Sequence, residues 1–279
     1  MFLYQLRNEL WKLFGKKRTY VGFVIFLLAQ TLILLLFRFA VGPTRQMTRL
    51  LELNGFEPKE YISSLTVATF MLFPIAYLLL PLFVALVGGD LVAKEAEDGT
   101  LRMILSRPVT RLRLLAVKWL AGAIFAFFLS LALGLTGLAS AACCFPWGHL
   151  FVTNPGEPFA VFDAAAGLRC FFAAHLMLSV KAVSIMGLAF MFSCFNVKPA
   201  TATILAVALI FVSSILQNIP FFSDFTPWFL TYHLDVWRQL LAAPVSWWKV
   251  GQSLSLLAGF NLSFFVIGST AFYVRDIKS

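Results

Sequence analysis

Charge is scarce in this chain. Only 13% of its 279 residues are Asp, Glu, Lys or Arg, while 60% are apolar and 31 are Phe. Ordinary soluble domains carry about 25% charged residues, so this composition excludes one and places the chain in a bilayer. A phosphate-cradling G-x-x-x-x-G-K-[ST] loop is missing too, since Gly15-Lys16-Lys17 has neither the spacing nor the following hydroxyl. If ATP is used, it binds another chain. The three histidines, His149, His175 and His233, are far apart and lack a dense Cys/Asp/Glu set, which argues against a metal site. With no G-x-S-x-G, H-E-x-x-H or paired carboxylates, an intramembrane hydrolase is not expected, and the chain is read as a non-enzyme. An ion-coupled carrier is disfavoured because its long apolar runs are almost free of Asp and Glu. The four cysteines, Cys143, Cys144, Cys170 and Cys194, form no C-x-x-C pair. An outer disulfide through Cys170 is geometrically open, against the alternative of packed free thiols.

What is present is a series of apolar runs long enough to cross a hydrocarbon core of about 30 Å, which takes roughly 20 helical residues. Six are expected: Tyr20–Phe39, Ser64–Gly88 with kinks at Pro74 and Pro81, Leu114–Cys144, Phe171–Phe195, Ala200–Asn218 and Gly251–Tyr273. The third is long enough to tilt or to project beyond the bilayer. Residues 1–279 therefore read as one all-α integral membrane domain. Lys and Arg concentrate before the first run and between the second and third, so both termini are expected in the cytoplasm of a multi-pass protein of the cell (inner) membrane. The net charge of +9 follows from this asymmetry and an anionic inner leaflet, so no nucleic-acid partner is implied. The first run follows a basic stretch as a signal peptide does, but its length and the spans after it favour an uncleaved anchor.

Ahead of that run, Leu3, Leu6, Leu10 and Leu13 recur at helical spacing while Arg7, Glu9 and Lys12 project elsewhere. Residues 1–19 are thus expected to form an interfacial helix on the lipid surface. The most organised polar stretch is 90–113, D-L-V-A-K-E-A-E-D-G-T-L-R-M-I-L-S-R-P-V-T-R-L-R. Acidic residues precede a short amphipathic helix whose candidate cap is Thr100 and whose stop is Pro108. Leu101, Ile104 and Leu105 share one side of it. The plain alternative is a solvated loop whose positive charges only set topology.

Here the chain resembles the type-2 permeases of ATP-binding-cassette (ABC) transporters, whose first cytoplasmic loop commonly reads E-x-E-D-G-T-L-x-x-L-L-S-x-P-V-S-R followed by Lys. It matches at Glu95, Glu97, Asp98, Gly99, Thr100, Leu101, Leu105, Ser106, Pro108, Val109, Arg111 and Lys118, and departs at Ala96 and Ile104. The resemblance implies a coupling helix between spans two and three that seats in a separate ATPase subunit. Glu95, Glu97, Asp98, Gly99, Thr100, Leu101, Arg107, Pro108 and Arg111 are then the coupling residues. It implies two permease chains, as a homodimer, with two ATPase subunits that use ATP and Mg, no cofactor held by this chain itself, and export as the direction. It also makes the N-terminal helix an elbow beside the ATPase, where residues alone allow a simple membrane-surface anchor equally well. The alternative in another class is a non-transporting anchor or sensor that recruits an ATPase.

Between spans five and six, 219–250 is rich in Trp, Tyr and Pro. Pro220, Pro227 and Pro244 bracket short helical pieces, and Trp228, Tyr232, Trp237, Trp247 and Trp248 suit the water–lipid boundary. The resemblance implies re-entrant outer helices that gate the pathway, with Trp228, Tyr232 and His233 in the gate; an aromatic belt with no gating role is the alternative. Lys181 is the one charge well inside an apolar span, which makes it a pathway candidate. Alternatively it snorkels outward, with Asp163 and Arg169 on an interfacial helix starting near Phe159.

Overall fold

The computed structural model describes residues 2–39, 41–106, 109–153 and 159–275. Six of its helices are long and apolar enough to cross a membrane: Thr19–Phe39, Ser64–Glu97, Arg111–Cys144, Ala164–Cys194, Pro199–Gln217 and Trp247–Val274. The chain is a multi-pass membrane protein of all-α class. Before the first span lies α1 (Phe2–Gly15), and the span itself is α2 (Lys17–Phe39). After it come α3 (Val41–Leu53) and the single turn α4 (Pro58–Tyr61). The second span is built from α5 (Ser64–Pro74), a wide turn at Ile75–Leu79 and α6 (Leu80–Glu97). The short α7 (Thr100–Leu105) leads to α8 (Arg111–Cys144), the third span. A hairpin of β1 (Leu150–Val152) and β2 (Ala160–Phe162) precedes α9 (Ala164–Cys194) and α10 (Pro199–Gln217). Tight 3-10 turns at Pro220–Trp228 and Val236–Leu241 flank α11 (Leu230–Leu234), and α12 (Trp247–Val274) is the last span.

Local chemistry explains the punctuation. Ser63 caps α5, its hydroxyl accepting from the Thr66 amide at 3.2 Å, and Thr110 does the same for α8 through the Arg113 amide at 3.4 Å. Pro74 and Pro81, each unable to donate an amide, bracket the wide i→i+5 turn at Ile75–Leu79. The expected kinks thus take the form of a local re-registration of the hydrogen-bond ladder inside a continuous span.

The fourth span departs from its expected boundary. It begins at Ala164, with Asp163 at its N-cap, and runs unbroken through Arg169 and Lys181. The alternative of an interfacial helix from Phe159 is not what forms: β2 and this longer span occupy those residues. Antiparallel pairing of Leu150 with Phe162 and Val152 with Ala160 makes the hairpin, which closes over α3 through Met47, Leu51 and Phe151. Its strands are β-branched and aromatic, which suits a half-buried pleat.

α9 is the central post: 72% of its apolar window is buried, against 11%, 17% and 22% for α10, α12 and α2, so those three present their flanks to the surroundings. Close approach at the post depends on missing side chains. A Cβ on Gly88 would lie 2.4 Å from the Met186 carbonyl oxygen, and one on Gly122 would meet Leu91 and Met186. Small residues at such crossings let helices pack by dispersion where lipid removes the hydrophobic drive. All four cysteines are free thiols.

Candidate coupling surface and intramembrane charge site

One end of the bundle gathers α1, α7, the start of α8 and the last turns of α9 and α12. α6 terminates there in a tight reversal: the Asp98 amide donates to the Lys94 carbonyl at 2.9 Å and the Gly99 amide to Ala96 at 3.3 Å. Gly99 sits at φ +71°, a left-handed conformation that glycine adopts without a Cβ penalty and that closes a helix C-terminus. Lys94 holds Glu97 at 2.9 Å and Asp98 at 3.1 Å on the solvent side of this turn. Thr100 was expected as a cap. Its hydroxyl instead donates back to the Glu95 carbonyl at 3.3 Å, a tie across the reversal. In α7, Leu101 is buried and Ile104 packs against the core, whereas Met103 faces outward. The expected coupling residues Arg107 and Pro108 lie outside the described residues, as does the side chain of Leu105.

Glu95 does not point outward with Glu97 and Asp98. Its carboxylate is 2.8 Å from the Lys118 ammonium and 3.2 Å from that of Lys12, and Glu9 completes the group at 2.9 Å from Lys118 and 2.7 Å from Lys12. Two cations and two carboxylates from α1, α6 and α8 thus form a closed quartet. Lys118 is 1% exposed, so it is neutralised wholly within the chain. Burial pushes the Glu9 carboxyl up, but Lys118 and Lys12 outweigh this and hold it below its ordinary value. For Lys12, burial pulls down while the Glu9 and Glu95 carboxylates prevail and raise it.

Glu9 was not among the sequence-derived site residues, and Lys118 was matched as part of the motif without being assigned a coupling role. Glu9 interrupts the leucine stripe, so α1 turns Leu6, Glu9, Leu10 and Leu13 inward and leaves Leu3, Tyr4, Arg7 and Trp11 exposed. Their signal was a pair of opposite charges, each set in an apolar helix. Between α1 and α7 opens a cleft of about 550 Å³, lined by Gln5, Asn8 and Lys12 on one side and Thr100, Met103 and Ile104 on the other.

Arg111 turns away from α7. Its guanidinium donates to the carbonyls of Phe272, Tyr273 and Arg275 at 3.4, 2.9 and 3.3 Å, and so satisfies the open C-terminal end of α12. Arg275 in turn donates to the Phe195 carbonyl at the end of α9, at 3.1 Å.

The second site lies toward the hairpin end. Lys181, buried midway along α9, is 2.9 Å from Asp235 between α11 and the second 3-10 turn. Tyr77, in the wide turn of the second span, donates to the other Asp235 oxygen at 3.1 Å. Its ring lies under the Lys181 ammonium at 4.7 Å, and Arg238 donates to its hydroxyl at 3.4 Å. A cavity of about 50 Å³ adjoins the cluster, walled by Pro81, Val207, Ile210 and Phe211. Sequence reading found Lys181 but not its partner, which is 54 residues away.

The remaining gate candidates separate. His233 is buried, one ring nitrogen 3.0 Å from the Ser253 hydroxyl and the other 2.8 Å from the Pro227 carbonyl. It is a saturated packing residue joining α12 to the first 3-10 turn. Trp228 is 81% exposed and faces away from the body of the chain, whereas Tyr232, 37% exposed, packs its ring edge-on against His233 at 5.2 Å.

A family model described as an ABC-2 family transporter protein matches residues 6–226. The match spans the quartet, α7 and Lys181, and stops short of His233 and Asp235. No curated protein matches the chain.

Proposed function

Because the chain belongs to the ABC-2 family of transporter proteins, we propose that it is the permease subunit of an ABC exporter whose ATP hydrolysis occurs on a separate subunit. The observation that carries this reading is the end bearing α1 and α7, where a short helix hangs on Gly99 and is tied rigidly to two spans. Such a helix transmits displacement because its anchor cannot yield alone: Leu101 seats in the core, and Glu95, one turn before the reversal, is ion-paired to both α1 and α8. The exposed Glu97, Asp98 and Met103 form the surface offered to the ATPase. Two copies of that ATPase, using ATP and Mg, act on two copies of this chain, with both termini in the cytoplasm of the inner membrane. The segment 219–250 lies on the outer side and closes the pathway as re-entrant pieces.

ATP-driven closure of the ATPase pair then favours one permease conformation over the other by its difference in contact with α7, which is all that a ligand can do to an equilibrium. The test is a reconstituted complex of this chain with an ABC ATPase subunit that co-purifies with it. Reversal of Glu97 and Asp98 to Lys should leave the chain in the membrane and abolish stimulation of ATP turnover by cargo. Unchanged transport with both residues reversed would overturn the coupling role. Stable ATPase binding with no cargo-dependent turnover in the unaltered complex would favour a recruiting anchor.

A further inference from the structure

We propose that the Lys181–Asp235 pair is a counter-ion exchange site, and that the cargo is an amphiphile with an anionic head. The inference rests on the reading of 219–250 as the closing segment of the pathway. Its argument is which half of the pair moves. Lys181 stands on α9, the most buried span, while Asp235 lies between a five-residue helix and a 3-10 turn. When the segment opens, Asp235 leaves toward water, where a carboxylate is well solvated, and Lys181 stays behind. It sits about 26 Å along α9 from Ala164, at 1.5 Å per residue, and is 4% exposed. A buried charge stripped of its partner is strongly unfavourable. The same conformational change therefore creates demand for a negative group at Lys181, and a carboxylate or phosphate on the cargo meets it. No covalent step is involved, only exchange of one anion for another.

The surroundings fit a head with an apolar body. The Tyr77 hydroxyl, which donates to Asp235 when the site is closed, donates equally well to an incoming anion. Val207, Ile210 and Phe211 line one wall of the adjoining cavity with hydrocarbon, with Ser214 and Thr231 beside them. Asp235 is then a built-in competitor that keeps Lys181 neutralised until cargo arrives.

The test uses the full chain in phosphatidylcholine nanodiscs, without its ATPase, titrated by calorimetry with oleate, dodecyl phosphate, methyl oleate, dodecyltrimethylammonium and inorganic phosphate. Oleate and dodecyl phosphate should bind at least about tenfold more tightly than the neutral ester, the cation or free phosphate, as expected for a charge-assisted contact. Asp235→Asn should strengthen binding of both anions by about tenfold, because the internal competitor is gone. Lys181→Gln should bring oleate and methyl oleate to equal affinity, and Lys181→Arg should retain the preference. If Lys181→Gln fails to fold, the Asp235→Asn result decides alone. Tighter binding of the cation, or no gain in anion affinity on Asp235→Asn, overturns the proposal; free phosphate binding as tightly as dodecyl phosphate overturns its amphiphile half. Because no ATPase is present, a failure here leaves the coupling reading standing, and a failed coupling test leaves this binding result intact.

Discussion

Replacing Lys118 with Met is the sharpest perturbation of the proposed coupling end. Met keeps an unbranched apolar stem one atom shorter and removes the charged, hydrogen-bonding end, so packing is nearly conserved. In the native quartet Lys118 is 2.9 Å from Glu9 and 2.8 Å from Glu95, and both carboxylates are more than four-fifths buried. After the change Lys12 alone faces two carboxylates, from 2.7 and 3.2 Å, and half of its side chain is exposed. Removing one partner of a buried ion pair costs about 3–5 kcal/mol. Because Lys12 remains, the lower end applies. About 3 kcal/mol corresponds to roughly a hundredfold rise in the open population, at about 1.4 kcal/mol per decade.

The opening expected is detachment of α1, which joins the bundle through the buried Glu9 and Leu13 with Leu6, Leu10 and Phe14 packed beside them. Hydrogen exchange of the α1 amides in nanodiscs should accelerate by that factor, with the α9 amides unchanged. The second member of the cycle is Lys118→Met with Glu9→Leu, which leaves Glu95 and Lys12 balanced. It should recover most of the loss, since replacing a whole buried pair with hydrocarbon is close to neutral. If the single change leaves exchange as it was, or the double change is no better than the single, the quartet is not what holds α1 and the reasoning fails.

The same quartet sets a pH window. The Glu9 carboxyl lies below its ordinary 4.5 when folded, so its contribution is complete above 4.5 and is lost as pH falls through the folded value; Lys12 lies above 10.5, so its share is complete below 10.5 and is lost as pH rises through the folded value. A spin label on α1 should therefore be immobile across neutral pH and loosen at both extremes. Gly99→Ala meets no atom within 4 Å, so its cost is purely that of a left-handed backbone at φ +71°, about 1–2 kcal/mol in thermal unfolding, with Gly99→Asn milder. His233→Leu strands the Ser253 hydroxyl and the Pro227 carbonyl, and should cost about 1–3 kcal/mol in detergent-resistance assays, with His233→Gln retaining part of this. Arg111→Ala removes three carbonyl contacts at the end of α12. Faster exchange confined to the last turn of that helix is the expected result, and exchange spread through α7 would refute the capping role.

The spans were legible because an apolar run of twenty residues has few other fates. Their order and number agree with the structure, and what shifted most was the start of α9 and the end of the second span, which runs on to Glu97 rather than stopping at Gly88. There the polar residues Asp163 and Arg169 looked like a boundary, but backbone pairing in β1 and β2 carries the chain straight into the helix. The hairpin itself had a local signal in the β-branched and aromatic residues flanking Asn154-Pro155-Gly156, overridden by the apolar runs on either side. Glu95 and Arg111 were found as members of a motif, yet motif order cannot say which way a side chain points. Both serve contacts inside the chain, whereas Glu97 and Asp98 stay on the surface. The pairings Glu9–Lys118 and Lys181–Asp235 span 109 and 54 residues; no local rule of helix spacing reaches that far.

The two charged sites share one span. Tyr77 stands in the wide turn at Ile75–Leu79 and touches Asp235; Glu95 stands near the end of α6 and touches Lys118. Eighteen residues of helix separate them, about 27 Å at 1.5 Å per residue, and the intervening Val84, Ala85, Gly88 and Val92 are buried. On the proposed coupling reading, a displacement entering at α7 reaches Tyr77 through a packed rod in which Gly88 rides directly on the Met186 backbone. The place where the rod can yield is the re-registered turn between Pro74 and Pro81, where the proline rings withhold amides from the ladder. Tyr77 lies within that turn and is the residue of the second span that holds Asp235. The physical requirement for communication between distant sites is an element with two arrangements that both sites bias. On the proposed coupling reading the second span is the rod, and the proline-bracketed turn is the candidate for that element.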